Sequence, residues 1–177
     1  IPLIDKEEDT SIKLATDLID NFQNIYENKW LNMMRDKLGL FGEDKDDKKL
    51  INDLFDWMKK NKADYTNTFC NLMGTNFDEV YKNNDFINWK NEWKKRSELN
   101  NSTKEKQSKL MRENNPTVIP RNHKVEDALA EADKGSLDKM KKLLTILKNP
   151  YENQRNIEEY KTPAPKNSEK YQTFCGT

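Results

Sequence analysis

The sequence predicts an all-α fold: an irregular multi-helix domain that ends in a helical hairpin and an extended C-terminal tail. Three observations predict it. Apolar residues recur at spacings of three and four through most of the chain, no segment alternates convincingly with period two, and Ser, Thr, Asp, Gly and Pro stand where helices begin and end. At 177 residues the chain has room for one domain with a tail. The division falls at Pro150, with residues 1–150 as the helical domain and 151–177 as the tail with its terminal cysteine.

The first helix is marked by Ala15, Leu18, Phe22, Ile25 and Met33, a stripe broken only by Lys29 and widened by Ile19, Tyr26, Trp30 and Met34. Thr10 or Ser11 can cap its start, and Gly39 suits the left-handed position after its end. A second helix is expected over Asp47–Lys60, capped by Asp46 or Asp47, with Leu50, Ile51, Leu54, Phe55 and Met58 inward. Asp64 caps a third, which turns Tyr65, Phe69 and Leu72 inward and stops near Gly74. Asp85 opens a fourth with Phe86, Trp89 and Trp93 on one face. Ser102 and Glu105 have the spacing of a capping box for a fifth, which Asn115 and Pro116 end.

The stretch from Asn122 to Pro150 reads as a helical hairpin. Val125, Ala128, Leu129 and Ala132 share one face, Gly135 breaks the chain, and Ser136 caps a partner carrying Leu137, Met140, Leu143, Leu144 and Leu147. No second copy of this unit occurs, so a solenoid is set aside. Thr117–Ile119 is the only β-leaning run, and prolines flank it. From Tyr151 onward, Pro163, Pro165 and interspersed Asn and Lys predict a segment that crosses a surface without forming an element.

Composition narrows the function. The chain is 34% hydrophobic and 35% charged, yet its 31 basic and 31 acidic residues cancel. Neutral charge argues against a nucleic-acid partner, and no apolar run reaches the roughly 18 residues of a membrane span. Two cysteines, Cys70 and Cys175, are too few for a disulfide framework, which points to the cytoplasm. The chain begins at Ile1, which suggests a piece of a longer protein.

Catalytic signatures are missing. Five glycines supply neither a phosphate-binding loop nor a dinucleotide turn, and His123 is the single histidine. No catalytic residue or metal ligand is assigned, and the chain by itself is expected to be inactive and to hold no cofactor. Asp44–Asp47 superficially suggests a calcium loop but lacks its glycine and closing glutamate, so a solvated charged turn is expected. Trp89 and Trp93 among lysines are read as packing residues before base-stacking ones. Cys70 is expected to pack on the third helix. Cys175, two residues from the end beside Phe174, is the one candidate for redox chemistry.

Several blocks carry a resemblance. Trp30–Gly39 (WLNMMRDKLG), Asp64–Phe69 (DYTNTF), Asn115–Leu129 (NPTVIPRNHKVEDAL), the Gly135 hairpin, Asn149–Tyr151 and Tyr171–Thr177 (YQTFCGT) are similar, in order, to blocks of the selenoprotein O family. Members of that family are protein adenylyltransferases of kinase-like fold, some with selenocysteine near the end. The resemblance implies that this chain is the C-terminal part of an enzyme that transfers AMP from ATP to protein hydroxyl groups with Mg or Mn. The catalytic residues then lie in a preceding kinase-like domain, which becomes the expected partner together with the protein substrates. Arg121 and Asn122, at the start of the hairpin in the strongest block, are the candidate contacts to that domain. Where the family often has arginine after its DYT-x-TF block, this chain has Cys70. The alternative is a free-standing helical interaction domain.

Overall fold

A computed structural model describes residues 7–74 and 78–165. Among them the fold is all-α, with α1 (Glu8–Leu38), α2 (Asp47–Asn61), α3 (Tyr65–Leu72), α4 (Asn84–Glu98), α5 (Lys104–Asn114), α6 (Asn122–Asp133), α7 (Asp138–Leu147) and α8 (Glu158–Lys161), plus a 3-10 turn at Glu79–Lys82. No described residue lies in a strand, Thr117–Ile119 included.

Local chemistry sets most boundaries. Asp64 caps α3 by accepting from the Asn67 N–H at 2.9 Å, and Gly39 ends α1 at φ 65° with its N–H on Asp36 O and that of Leu40 on Arg35 O. Any side chain is strained there. A Cβ would stand 2.7 Å from Gln107 Cγ and 2.8 Å from Met111 Cγ, because α5 crosses α1 at this point.

Other expected caps move by a few residues. α1 starts at Glu8 after Glu7, not at Thr10 or Ser11, and its N-terminus carries no side-chain cap bond. Asn83 caps α4 from one residue outside, and Thr103 takes the role expected of Ser102, accepting from Lys106 N at 3.3 Å. α7 begins after Leu137 rather than Ser136. The segment after Pro150 forms one helical turn, α8, whose Ile157 and Tyr160 are buried; it is not a bare crossing.

Two hydrophobic cores organise these helices. The larger gathers Met34, Leu38 and Leu40 from the end of α1, Ile51, Leu54, Trp57 and Met58 from α2, Phe69 and Leu72 from α3, Tyr81, and Phe86, Trp89 and Trp93 from α4, with Met111 of α5. Its aromatic rings touch in sequence, Trp57 on Phe86 at 4.5 Å between centroids, Phe86 on Trp89 at 5.8 Å and Trp89 on Trp93 at 6.3 Å. Both indole N–H groups of α4 are satisfied, Trp89 on Leu50 O at 2.8 Å and Trp93 on Leu38 O at 2.9 Å. These tryptophans therefore pack and do not offer a stacking surface.

The smaller core is aliphatic. Val118, Ala128, Leu143, Ile146, Ile157 and Tyr160 join the hairpin of α6 and α7 to α8, while the expected hairpin leucines Leu129, Leu137 and Leu144 stay exposed.

The solvated-turn expectation at Asp44–Asp47 needs correction. Asp47 has no exposed surface and lies between two arginines, with Arg35 Nε on Oδ2 and Arg96 Nε on Oδ1, both at 2.6 Å. The Asp44 N–H also donates to it at 3.0 Å. Burial pushes the Asp47 carboxyl up, but these bonds outweigh it and hold the group below its ordinary range. Arg96 continues to Phe41 O and Gly42 O, so one carboxylate pins α1, α2, α4 and the turn after α1.

Candidate functional site at the seam between the cores

The stretch from Asn114 to Arg121 links the two cores through buried hydrogen bonds, although Asn115 Oδ1 and Arg121 Nε are buried without a partner. Asn115 is buried and donates through Nδ2 to Lys37 O and Met111 O, both at 2.8 Å. Lys37 answers from the other side: its ammonium donates to Asn114 O at 2.9 Å and lies 4.9 Å from the centre of the Phe69 ring. Burial pushes this ammonium below the ordinary lysine range. Thr117 turns the chain toward the hairpin's end, its N–H on Pro150 O at 2.7 Å and its hydroxyl on Glu152 O at 2.7 Å. Cys70 is buried with Sγ 3.8 Å from Pro116 O, which places it at the seam as a packing residue.

Arg121 closes the stretch. As the residue before α6 its backbone is extended, so its side chain reaches back across the seam. The guanidinium grips Asp64 with two bonds, Nη1 to Oδ2 at 2.8 Å and Nη2 to Oδ1 at 2.9 Å, and Nη2 stands 3.4 Å from Asn67 Oδ1. This is the bidentate fork that gives arginine its geometric specificity. Burial pushes the Asp64 carboxyl up, but Arg121 and the N–H groups of Asn67 and Thr66 overcome it and hold it below the ordinary range. Asn67 in turn donates to Lys161 O at 3.2 Å, tying α3 to α8. Asp64 thus caps one helix and anchors the N-terminus of another.

The predicted residues fall in different places. Arg121 is buried in this clasp, whereas Asn122 beside it is exposed. His123, second in α6, is half-buried, and burial with Lys124 and Arg121 nearby pushes its imidazole below the ordinary range. Cys175 lies outside the described residues. The pairing of Asp64 with Arg121 and of Asp47 with two arginines went unseen in the sequence. One signal was present: Asp64 and Arg121 belong to two of the blocks that carry the family resemblance.

A groove of about 860 Å³ also opens between α2 and α4, floored by Leu50, Trp57 and Trp89. Its rim mixes Asp53, Asp85 and Glu92 with Lys60 and Lys95, and Lys60 is already paired with Asp85 at 2.9 Å. That rim offers no single-sign field for a phosphate. At the seam Arg121 is paired with Asp64, and the Lys37 ammonium is held by Asn114 O. The seam's chemistry is that of a joint that fixes the hairpin on the aromatic core.

The family model described as protein adenylyltransferase SelO matches residues 7–148, most of the chain. The chain belongs to the SelO family. Relatives named protein nucleotidyltransferase YdiU agree along its whole length. That of Pelagibacter ubique (strain HTCC1062) is 56% identical over 179 residues, covering 100% of this chain and 37% of the relative. That of Bacillus mycoides (strain KBAB4) is 42% identical over 180 residues, and that of Clostridium botulinum (strain Eklund 17B / Type B) 41% over 181, with the same coverage. The chain thus spans little more than a third of the SelO-family proteins it matches. Among the described residues no helix is long and apolar enough to cross a membrane.

Proposed function

We propose that this chain is the C-terminal helical module, residues 1–150 with the tail 151–177, of a cytoplasmic protein adenylyltransferase. The parent transfers AMP from ATP to hydroxyl side chains of proteins, with Mg or Mn, and a kinase-like domain outside this sequence carries the catalytic groups. The observation that supports this most is the coverage: the family model matches residues 7–148 and relatives match the whole chain, yet the chain spans 37% of their length. The sequence has no phosphate-binding loop, and Arg121 of the seam is committed to Asp64, which agrees with a supporting role.

In this reading the seam is the module's rigid shoulder. Arg121 fixes the start of α6 and Asn122, exposed next to it, contacts the kinase-like domain. Cys175 serves as a redox switch on the parent enzyme, its thiol open to reversible oxidation.

The test is labelling of protein with ATP carrying a tagged adenosine. The full-length protein with Mg or Mn should incorporate AMP, and the 177-residue chain alone should not. Incorporation by the chain alone, or none by the full-length protein, overturns the assignment and returns the module to a free-standing interaction domain. Cys175→Ser in the full-length protein tests the switch: identical responses of variant and parent to oxidant and reductant exclude it.

A further inference from the structure

The first two-thirds of α1 carry an apolar face that nothing in the described structure covers. Between Glu8 and Lys29 only Ser11 is buried and only Ala15 half-buried. Leu18 is 62% exposed, Ile19 73% and Phe22 65%, and Leu14, Ile25 and Tyr26 are exposed beside them. Phe22 and Tyr26 lie stacked, 6.3 Å between ring centroids. At 100° per residue, the line of Leu14, Leu18, Phe22 and Ile25 is rotated by roughly 120–180° from Met34 and Leu38, which enter the aromatic core, with Ile19 and Tyr26 roughly 60–120° from them. It is a second apolar surface of α1, and not a frayed extension of the buried one.

Its size is that of an interface. Taking roughly 200 Å² for a fully exposed large side chain, the exposed apolar residues of α1, from Ile12 to Met33, present on the order of 800 Å². The largest apolar patch on an ordinary monomer is about 300–600 Å², and a stable complex takes about 800 Å² from each partner.

We propose that this face of α1 is the seat of the remaining part of the parent polypeptide. The inference rests on the reading above, in which that part precedes the module. The chain spans 37% of its relatives, and in that reading α1, the first described helix of the module, lies beside the junction. A domain joined to α1 by a short connection meets this face at an effective concentration in the millimolar range. That outcompetes a second copy of the chain at micromolar concentration. Phe22 and Tyr26 form the centre of the contact, with Leu18 and Ile25 on either side along the helix axis.

Cysteine accessibility in the full-length protein tests it. Single substitutions Leu18→Cys, Phe22→Cys and Tyr26→Cys sample the apolar face, and Asp17→Cys and Asn24→Cys the polar one. Labelling by a water-soluble thiol reagent is read peptide by peptide, which separates these sites from Cys70 and Cys175. The expected result is labelling at least tenfold slower on the apolar face, in a monomer, unchanged by dilution and by removal of residues 166–177. Hydroxyl-radical oxidation of Phe22 and Tyr26 in the unsubstituted protein repeats the comparison without a variant. Equal labelling on both faces overturns the proposal. Protection that vanishes on dilution of a dimer assigns the face to a second copy, and protection lost on truncation assigns it to the chain's own end; either overturns it too. AMP transfer measured on the same protein separates the two readings. Transfer with a freely labelled face sinks the docking surface alone, and protection without transfer sinks the enzymatic reading alone.

Discussion

The two ends of α1 share one helix and opposite fates. Toward the C-terminus, Met34 and Leu38 are fully buried, Arg35 grips Asp47, and Gly39 presses against α5. Toward the N-terminus, Leu18 and Phe22 have the same apolar character and stand exposed. Amphipathic spacing establishes that a helix has a face to bury. It does not say against what. The C-terminal end found its partner inside this chain, and the exposed end is expected to find it in the rest of the parent protein.

The comparison breaks most readily at Asp47. Asp47→Ala leaves buried Arg35 with only the exposed Glu43 carboxylate and half-buried Arg96 with none, and should cost about 3–5 kcal/mol, read as a lower urea midpoint. The pH dependence follows from the sign of its shift. The carboxyls of Asp47 and Asp64 are held below their ordinary range in the folded state, so the unfolded chain binds more protons in acid. The contribution of these two groups should be level above about pH 5 and fall as pH descends through the carboxylate range, with a shallower fall in Asp47→Ala.

Next comes the matched pair on α1 itself. Leu38→Ala should cost about 2–5 kcal/mol, whereas Leu18→Ala should change the stability of the 177-residue chain by no more than about 0.5 kcal/mol. Equal losses would mean that the exposed face is covered within the chain. Arg121→Ala should cost about 2–3 kcal/mol and speed amide exchange in α6 and α7 more than in α2 and α4. Arg121→Lys should restore less than half, since a point charge cannot make the two-bond fork. A uniform rise across all helices would show that the two cores are one cooperative unit. Gly39→Ala should cost less than Arg121→Ala, about 1–2 kcal/mol, from a left-handed backbone and a tight contact that Gln107 and Met111 can partly relieve.

Much of this architecture was legible. The i, i+3, i+4 recurrence located α1 to α7, Asp64 and Gly39 marked their helix ends, and ordered blocks pointed to the family. The errors share a cause. Neighbouring candidates such as Ser102 and Thr103 have nearly equal capping strength, so tertiary packing picks between them. The turn at Asp44–Asp47 looks solvated because a carboxylate next to lysines usually is, and its two arginine partners lie 12 and 49 residues away.

By itself the sequence determined the all-α class, the order of the helices, the hairpin and the family, because these depend on periodicity, local hydrogen bonding and the run of residues. Only the tertiary structure decided that the helices form two cores, that Arg121 turns inward to Asp64, that Asp47 sits between two arginines, and that one face of α1 stays open. Each of these is a choice among partners distant in the chain. Partners at such distances are fixed by how helices pack, and no local pattern encodes that choice.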